Sequence, residues 1–528
     1  MQTLSRAIPL FALSYAVLPG APSSAQAEAS DTPTHDAIYI EEILVIGDAE
    51  QAGRLPGSGM RLDLDTIDQF DYVDLSQAIS SVPGVYVREE DGYGLRPNIG
   101  IRGAAAERSQ KITLMEDGVL IAPAPYSAPA AYYMPNVSRM TSIEVLKGPA
   151  AIRHGPHTVG GAVNFVTRRV PTNTLAEVDL SVGNDSYYKA QGALGGTTES
   201  GFGALVEAQA FGAEGFKDLD GGGDTGFDRR DITAKLQWTP NTERDQQLSL
   251  KLGYADEDSN ETYLGLTDDD FALDPTRRYS ASQLGRFQSE HRLAHLNYGI
   301  QVTDSLRVNA KAYYNEFDRE WNKLDGFIFG PGLQVVLDSP ERFATEYALL
   351  TGAINSNGSE AQMLDVTNND RSFTSTGIQA STVYEFATGA LDHELNAGIR
   401  FHYDDVERDH RRAGFLMTDG VLVSDGLERG SKLTNAAETE ALALYLSDAI
   451  TIERWTVTLG ARFEQIDGEF EDILRGTTSE SSQSEVSPGI GVYWQASDIV
   501  GVLAGVNRGF SPAGPGSGAD PERSVNYE

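Results

Sequence analysis

The chain of 528 residues contains no cysteine. Disulfide bonds and thiolate chemistry are therefore excluded. The sequence also shows no G-x-S-x-G turn of the kind that exposes a catalytic serine. His154 and His157 lie close together in a glycine-rich stretch, but no flanking carboxylate completes a metal shell. We expect this pair to occupy structural turn positions, and we predict no enzyme activity, no cofactor and no resident metal.

Basic residues are in the minority, with 41 lysines and arginines against 77 aspartates and glutamates. The resulting formal net charge of −36 would repel nucleic-acid phosphates and excludes a polybasic membrane anchor. We expect no nucleic-acid partner.

Long hydrophobic runs are absent after the N-terminus, so no segment reaches the roughly 20 apolar residues that a membrane helix needs. The N-terminus itself carries Arg6, an apolar run over residues 7–18 and the small residues Ala25 and Ala27. This three-part pattern predicts a secretory signal peptide over residues 1–27.

Two patterns of hydrophobicity meet near Pro171. Before it, short irregular apolar segments with glycine or proline at their junctions predict a compact mixed α/β domain. After it, apolar and polar residues alternate, as in "RWTVTLGARFE" (residues 454–464) and residues 306–314. A period of two with one apolar and one polar face predicts strands between a dry and a wet side.

The connections distinguish a membrane barrel from a soluble β-sandwich. Short and long connections alternate along the chain. The short turns include "TPNTERD", "VTDS", "ATGAL", "SDAITIE" and "QASD", and the long polar connections span residues 256–286, 318–370 and 404–436. Tight turns at one end and long loops at the other are typical of outer-membrane β-barrels. Counting alternating segments predicts roughly 13 or 14 antiparallel strands.

Five segments carry a family resemblance, namely "DLSQAISSVPGVYV", "NIGIRG", "ITLMEDGV", "IEVLKGPAAIRHGPHTVGGAVNFVTR" and "NRGFSP". They resemble TonB-dependent receptors of the Gram-negative outer membrane, in which a plug fills a barrel of 22 strands. The stretches "LRPNIGIRG" and "APAPYSAPA" are most similar to ferric dicitrate receptors. The resemblance implies an N-terminal extension over residues 28–47, a plug over 48–171 and a barrel over 172–528. Because 22 strands are implied, we expect the sequence to be a fragment lacking C-terminal strands.

The run "EEILVIGD" resembles the TonB box, which would pair with TonB and its inner-membrane energising complex as an added strand. An ordinary first strand of the plug is the alternative. The expected box residues are Glu42, Ile43, Leu44, Val45 and Ile46.

The resemblance implies uptake of a ferric chelate, such as ferric citrate or a similar carboxylate siderophore. The planar guanidinium group of arginine can donate two parallel hydrogen bonds to a carboxylate of such an anion. We expect ligand contacts from plug residues Arg108, Lys111 and Tyr126 and from wall or loop residues Arg319, Arg371 and Arg429. The loop arginines could equally be solvated surface groups.

Some alternatives stay open at this point. Ala128 and Ala130 replace the polar glutamines of citrate receptors, which leaves the chelate undecided. A passive channel, an adhesin or a receptor for a non-iron substrate would use the same barrel. Calcium is a further candidate ligand for the acidic stretch "DLDGGGDTGFD", although Arg229 stands where an EF-hand places its last carboxylate.

Overall fold

A computed structural model describes residues 57–497 and 499–527. The predicted signal peptide over residues 1–27 and the predicted box from Glu42 to Ile46 lie outside the described residues.

Residues 57–167 form a mixed α/β domain, as the sequence predicts. Its helices are α1 (Leu64–Phe70) and α2 (Leu75–Ser80), and its strands are β1 (Ser58–Asp63), β2 (Val85–Arg88), β3 (Asn98–Ile101), β4 (Ile112–Glu116), β5 (Val119–Leu120), β6 (Met140–Lys147) and β7 (Gly161–Thr167). Five strands make one sheet in the order β1-β6-β7-β4-β5. Ile143, Val145, Val163 and Phe165 form its centre, with exposures of 0–1%.

The rest of the described chain consists mainly of strands, and all but three short ones form one antiparallel wall. They are β8 (Leu175–Val182), β9 (Tyr188–Thr197), β10 (Phe202–Ala213), β11 (Asp218–Leu219), β12 (Phe227–Trp238), β13 (Gln246–Ser259), β14 (Arg277–Arg278), β15 (Arg286–Thr303), β16 (Leu306–Phe327), β17 (Leu364–Thr388), β18 (Leu391–Thr418), β19 (Val421–Ser424), β20 (Ser431–Ile452), β21 (Trp455–Asp472), β22 (Thr477–Ser497), β23 (Val500–Ser511) and β24 (Glu522–Tyr527). Fourteen of them pair in series from β8 to β24, which agrees with the predicted 13 or 14.

Three short strands lie in the connections: β11 pairs with β14, and β19 pairs with β18. The same connections carry the helices α3 (Asp268–Leu273), α4 (Leu333–Asp338) and α5 (Ala344–Leu350). Among the described residues, no helix is long and apolar enough to cross a membrane.

The alternation predicted for the wall strands is present. On β16, Asn309, Lys311 and Tyr313 are buried towards the plug, whereas Ala310 and Tyr314 are exposed on the outer face. The rings of Trp455 and Trp494 stack at 5.3 Å beside a short turn. Outward aromatic rings near strand ends are typical of the girdles that flank the apolar band of outer-membrane barrels.

The short turns lie close to their predicted positions, but the long connections are shorter than predicted. They span residues 260–285, 328–363 and 419–430, because β16, β17 and β18 continue for 22, 25 and 28 residues. A strand of 28 residues is about 95 Å long, well beyond a hydrocarbon core of about 30 Å. The outer faces of the upper parts of these strands are polar, so they lack the apolar alternation that marks a membrane strand in sequence.

Polar contacts join the plug to the inner face of the wall. Within the plug, the Glu116 carboxylate accepts hydrogen bonds from Arg139 Nη1 and Nη2 at 2.9 and 2.8 Å. Across to the wall, Arg139 pairs with Asp231 at 3.0 Å and Asp117 pairs with Lys251 at 2.7 Å. Burial opposes ionisation, but Arg139 and Lys251 hold the pKa of Glu116 well below its usual range. The plug therefore sits against a wall of matching charges.

Candidate ligand-binding site

Three arginines lie side by side on the inner face of the wall. Arg319 of β16 is the register partner of Arg371 on β17, and Arg371 is the partner of Arg408 on β18. We call Arg319, Arg371 and Arg408 the arginine row. Like charges directly opposite one another destabilise a sheet, so the row is a cost to folding.

The residues on either side of the row differ sharply. Two residues towards the short turns, Phe317, Phe373 and Val406 form an apolar layer, each at most 2% exposed. Two residues towards the long connections, the corresponding positions are Trp321, Asn369 and His410. The arginine row thus lies next to a buried apolar layer on one side, and its other side is directed towards the external end of the wall.

The plug completes the site with Arg108 and Tyr132. The Cζ atom of Arg319 lies 4.3 Å from the centre of the Tyr132 ring, and those of Arg108 and Arg371 lie at 5.2 and 5.9 Å. Arg108 also lies 5.6 Å from the Trp321 ring, which is 4.6 Å from the ring of Tyr263. We call the arginine row together with Arg108, Tyr132, Tyr263 and Trp321 the apical cluster.

Arg108 reaches this position through a strained backbone. Its φ of 49° lies in the left-handed region, which costs a residue other than glycine about 1–3 kcal/mol. Two hydrogen bonds hold it there: Arg108 N donates to Asn98 Oδ1 at 2.7 Å, and Ala131 N donates to Arg108 O at 2.9 Å. The second bond ties the two apical loops of the plug together beneath the cluster.

The positive charge of the cluster is only partly neutralised. Arg108 pairs with Glu90 at 2.7 Å, but within the described residues no member of the arginine row forms an ion pair with a carboxylate. Their recorded hydrogen bonds go to neutral groups: Arg319 Nη1 to Asn369 O at 3.2 Å, Arg371 Nε to His410 Nε2 at 3.3 Å, and Arg408 Nη1 to Asn435 Oδ1 at 3.0 Å.

Three buried donors of the cluster have no hydrogen-bond partner in the described structure, namely Arg319 Nε, Arg108 Nη1 and Trp321 Nε1. Burial tends to raise the pKa of the Tyr132 phenol, but Arg319, Arg371 and Arg108 outweigh it and lower that pKa. Unpaired cations and unsatisfied donors around one ring make a site suited to an anion with several oxygen acceptors.

Three predicted ligand residues lie elsewhere. Lys111 pairs with Glu522 at 2.7 Å, and Arg429 is held by Asp425 within its own loop. Tyr126 is 1% exposed, and burial raises the pKa of its hydroxyl to about 12. The structure therefore brings Arg108, Arg319 and Arg371 together and separates them from Lys111, Tyr126 and Arg429.

Sequence reasoning missed Arg408, Tyr132, Tyr263 and Trp321. Arg408 was placed in a long connection, because "DDVERDHRRAG" shows no apolar alternation. Trp321 occupies the next inward position after Arg319 on the same strand, so extending β16 would have found it. Tyr132 lies just beyond the predicted apical loop, and only the plug fold shows that its ring points into the cluster.

The histidine pair occupies the turn before β7. His157 Nε2 donates to Pro125 O and its Nδ1 accepts from Ser511 Oγ, both at 2.7 Å. Burial lowers the pKa of His157 to about 4. This neutral ring links the plug to β23, which fits the expected structural position.

The acidic stretch considered for calcium contains Asp220, which Arg277 binds at 2.9 Å. Asp224 accepts a hydrogen bond from Gly226 N at 2.8 Å. Among the described residues, no group of three or more histidine, aspartate and glutamate side chains is arranged to hold a metal ion.

Comparisons with known proteins match both parts of the chain. The family "TonB dependent receptor-like, beta-barrel" matches residues 171–528, and "TonB-dependent Receptor Plug Domain" matches residues 53–162. The vitamin B12 transporter BtuB of Photobacterium profundum is 24% identical over 310 residues, which cover 54% of this chain and 47% of that protein. The metal-pseudopaline receptor CntO of Pseudomonas aeruginosa is 22% identical over 422 residues, covering 75% and 54%. The chain thus spans about half the length of these two curated relatives.

Solved structures agree on the fold. The unliganded ferric citrate transporter FecA superposes with a TM-score of 0.74 at 22% identity, covering 92% of this chain and 69% of that one. The siderophore receptor PiuA from Acinetobacter baumannii gives 0.69 at 16% identity, covering 90% and 69%.

A plug seated against a strand wall of this kind defines an outer-membrane receptor of the plugged β-barrel class. Within that class, the chain belongs to the TonB-dependent receptor family. Its location is the outer membrane, and the relatives named above are transporters and receptors rather than enzymes.

Proposed function

We propose that this receptor takes up a ferric chelate rich in carboxylates, such as ferric citrate, with energy from TonB. The arginine row carries the proposal. An anion would relieve the repulsion among three adjacent cations without carboxylate partners, and the guanidinium fork matches carboxylate geometry. The fold similarity to the ferric citrate transporter is consistent with this ligand class.

The ligand is a preformed chelate rather than bare iron. The cluster repels a free cation, and its guanidinium N–H groups offer no lone pair to a metal. Equilibrium dialysis of the purified receptor should therefore retain ferric citrate and fail to retain uncomplexed ferric iron. Tight binding of the uncomplexed ion would contradict this assignment.

The arginine row is tested by substitution. Replacing Arg319, Arg371 and Arg408 together by glutamine should weaken ferric citrate binding by several kcal/mol, taking about 1.5–3 kcal/mol for each charged hydrogen bond. Arg412→Gln is the control, because Arg412 already pairs with Asp365 at 2.7 Å. Equal affinity of the triple variant and the native receptor would reject the site.

The substrate class is tested with a panel containing ferric citrate, ferrichrome, ferric enterobactin and vitamin B12, which represent substrates printed in the names of relatives. Ferric citrate should bind most tightly. Preferred binding of vitamin B12 would support the alternative of a non-iron substrate.

Energy coupling is tested by deleting residues 41–47, which include the proposed TonB box. An added strand gains affinity from main-chain hydrogen bonds, so its loss should abolish uptake while leaving ferric citrate binding intact. A passive channel would be indifferent to the deletion, and unchanged uptake would favour that alternative.

A further inference from the structure

Tyr132 differs from three other tyrosines in or beside the plug. The hydroxyl of Tyr126 donates to Glu464, that of Tyr133 accepts from Arg139, and that of Tyr263 accepts from Arg108. For the Tyr132 hydroxyl, no hydrogen bond is found in the part of the chain that the structure describes. Its side chain is only partly buried, so solvent and ligand can reach it.

The plug backbone directs this ring into the cluster. Tyr132 and Tyr133 are neighbours in a segment without regular secondary structure, and their rings contact different partners. The Tyr133 ring stacks on His291 at 3.7 Å in the plug and wall interface, whereas the Tyr132 ring lies among Arg319, Arg108 and Arg371. Packing against the apolar core of the plug fixes the ring of Tyr132 in place.

Resting on the proposed function, we propose that Tyr132 binds the ferric ion of the docked chelate directly through its phenol oxygen. Ferric iron is a hard cation that takes oxygen ligands, and a tyrosine oxygen serves as its ligand in haem proteins of the catalase type. Bare iron would be repelled by the surrounding guanidinium groups. An anionic chelate reverses that repulsion and brings the metal to the hydroxyl.

The ligand exchange is balanced without any redox change. The Tyr132 O–H bond breaks, and the proton passes to water at the open side of the site. The freed lone pair forms the bond to iron, and one bond between iron and a coordinated water breaks. The iron stays ferric, and the carboxylates of the chelate remain on the arginine row.

A visible absorption spectrum tests the proposal, because a phenolate bound to ferric iron gives a charge-transfer band. The purified receptor is titrated with ferric citrate and, separately, with gallium citrate, whose metal has the same charge and gives no such band. The band should appear with ferric citrate alone. It should be lost in Tyr132→Phe, which keeps the ring, and retained in Tyr314→Phe, whose ring is exposed on the outer face of β16.

Binding is measured in parallel by equilibrium dialysis, so that two failures can be told apart. Retained ferric citrate without a band, or a band that persists in Tyr132→Phe, overturns the iron contact and leaves the proposed function standing. Failure to retain ferric citrate rejects both. Resonance Raman spectra of the native receptor provide a readout that needs no variant: tyrosinate vibrations enhanced through the band are expected, and their absence overturns the contact.

Discussion

The hydroxyl of Tyr126 lies between a cation and an anion of the wall. It accepts a hydrogen bond from Arg400 Nη2 at 2.9 Å and donates to Glu464 Oε2 at 3.1 Å. The backbone N–H groups of Tyr126 and Ser127 donate to Asp404 at 2.7 and 2.9 Å. Tyr126 therefore fixes one side of the plug to the wall, and its hydroxyl is engaged by wall residues rather than by a ligand.

Replacing Tyr126 by phenylalanine tests that role. Removing the hydroxyl leaves a buried arginine and a buried carboxylate short of a partner, which costs about 1–3 kcal/mol. We expect earlier loss of protease protection of the plug during denaturant titration, with ferric citrate affinity unchanged. Weaker binding with unchanged protease protection would instead return Tyr126 to the ligand site.

Single residues of the site were predictable only where a strand was visible in sequence. Arg319 and Arg371 could be assigned to the external part of the wall by counting strands. Their pairing with Arg408 could not be predicted, because a one-residue change of register turns each side chain to the other face of the sheet. The burial of Tyr126 was hidden for a related reason, since its partners come from β18 and β21, more than 270 residues away.

At the scale of elements, the apical loop of the plug meets strand β20 through two hydroxyl groups. Ser127 Oγ and Thr439 Oγ1 are 2.7 Å apart. The chain has no cysteine, so a disulfide introduced here has no competing thiol. The contact therefore offers a covalent test of plug movement.

The double variant Ser127→Cys, Thr439→Cys should form a disulfide after small side-chain adjustments. Oxidised receptor should bind ferric citrate normally but fail to transport it, because the plug cannot leave the wall. Reduction should restore uptake, and each single variant should be unaffected by oxidant. Full uptake by the oxidised form would mean that transport leaves this contact intact.

Strands were well predicted within the lipid band and poorly predicted above it. Apolar and polar residues alternate clearly along β21, because lipid selects apolar residues at every second position. Above the band, no lipid covers the outer faces of β16 to β18, and this selection disappears. The external helices α3 to α5 were not predicted, since each has only six or seven residues.

At the scale of the whole molecule, the cluster of cations is set in an acidic protein. The outer faces of β16, β17 and β18 near the site carry Glu316, Asp318, Glu320, Asp370 and Glu407. An anionic chelate is therefore repelled at long range and attracted only at contact.

Salt should consequently accelerate the association of ferric citrate. The Debye length falls from about 30 Å at 0.01 M to about 8 Å at 0.15 M, which screens the distant carboxylates more than the buried arginines. Stopped-flow measurements should show a faster association rate and a nearly constant dissociation rate. The double variant Glu320→Gln, Asp370→Asn should reduce the salt effect, and slower association with added salt would contradict the argument.

The apical cluster is divided between two bodies, with the arginine row on the wall and Arg108 and Tyr132 on the plug. The complete cage exists only while both are in register. If TonB pulls the plug inward, the cage splits and the cargo loses its contacts with Arg108 and Tyr132 at that moment. Release of the cargo then needs no separate signal, because the same plug movement that opens the transport path also lowers the affinity for the cargo. The affinity of the empty receptor is restored when the plug returns.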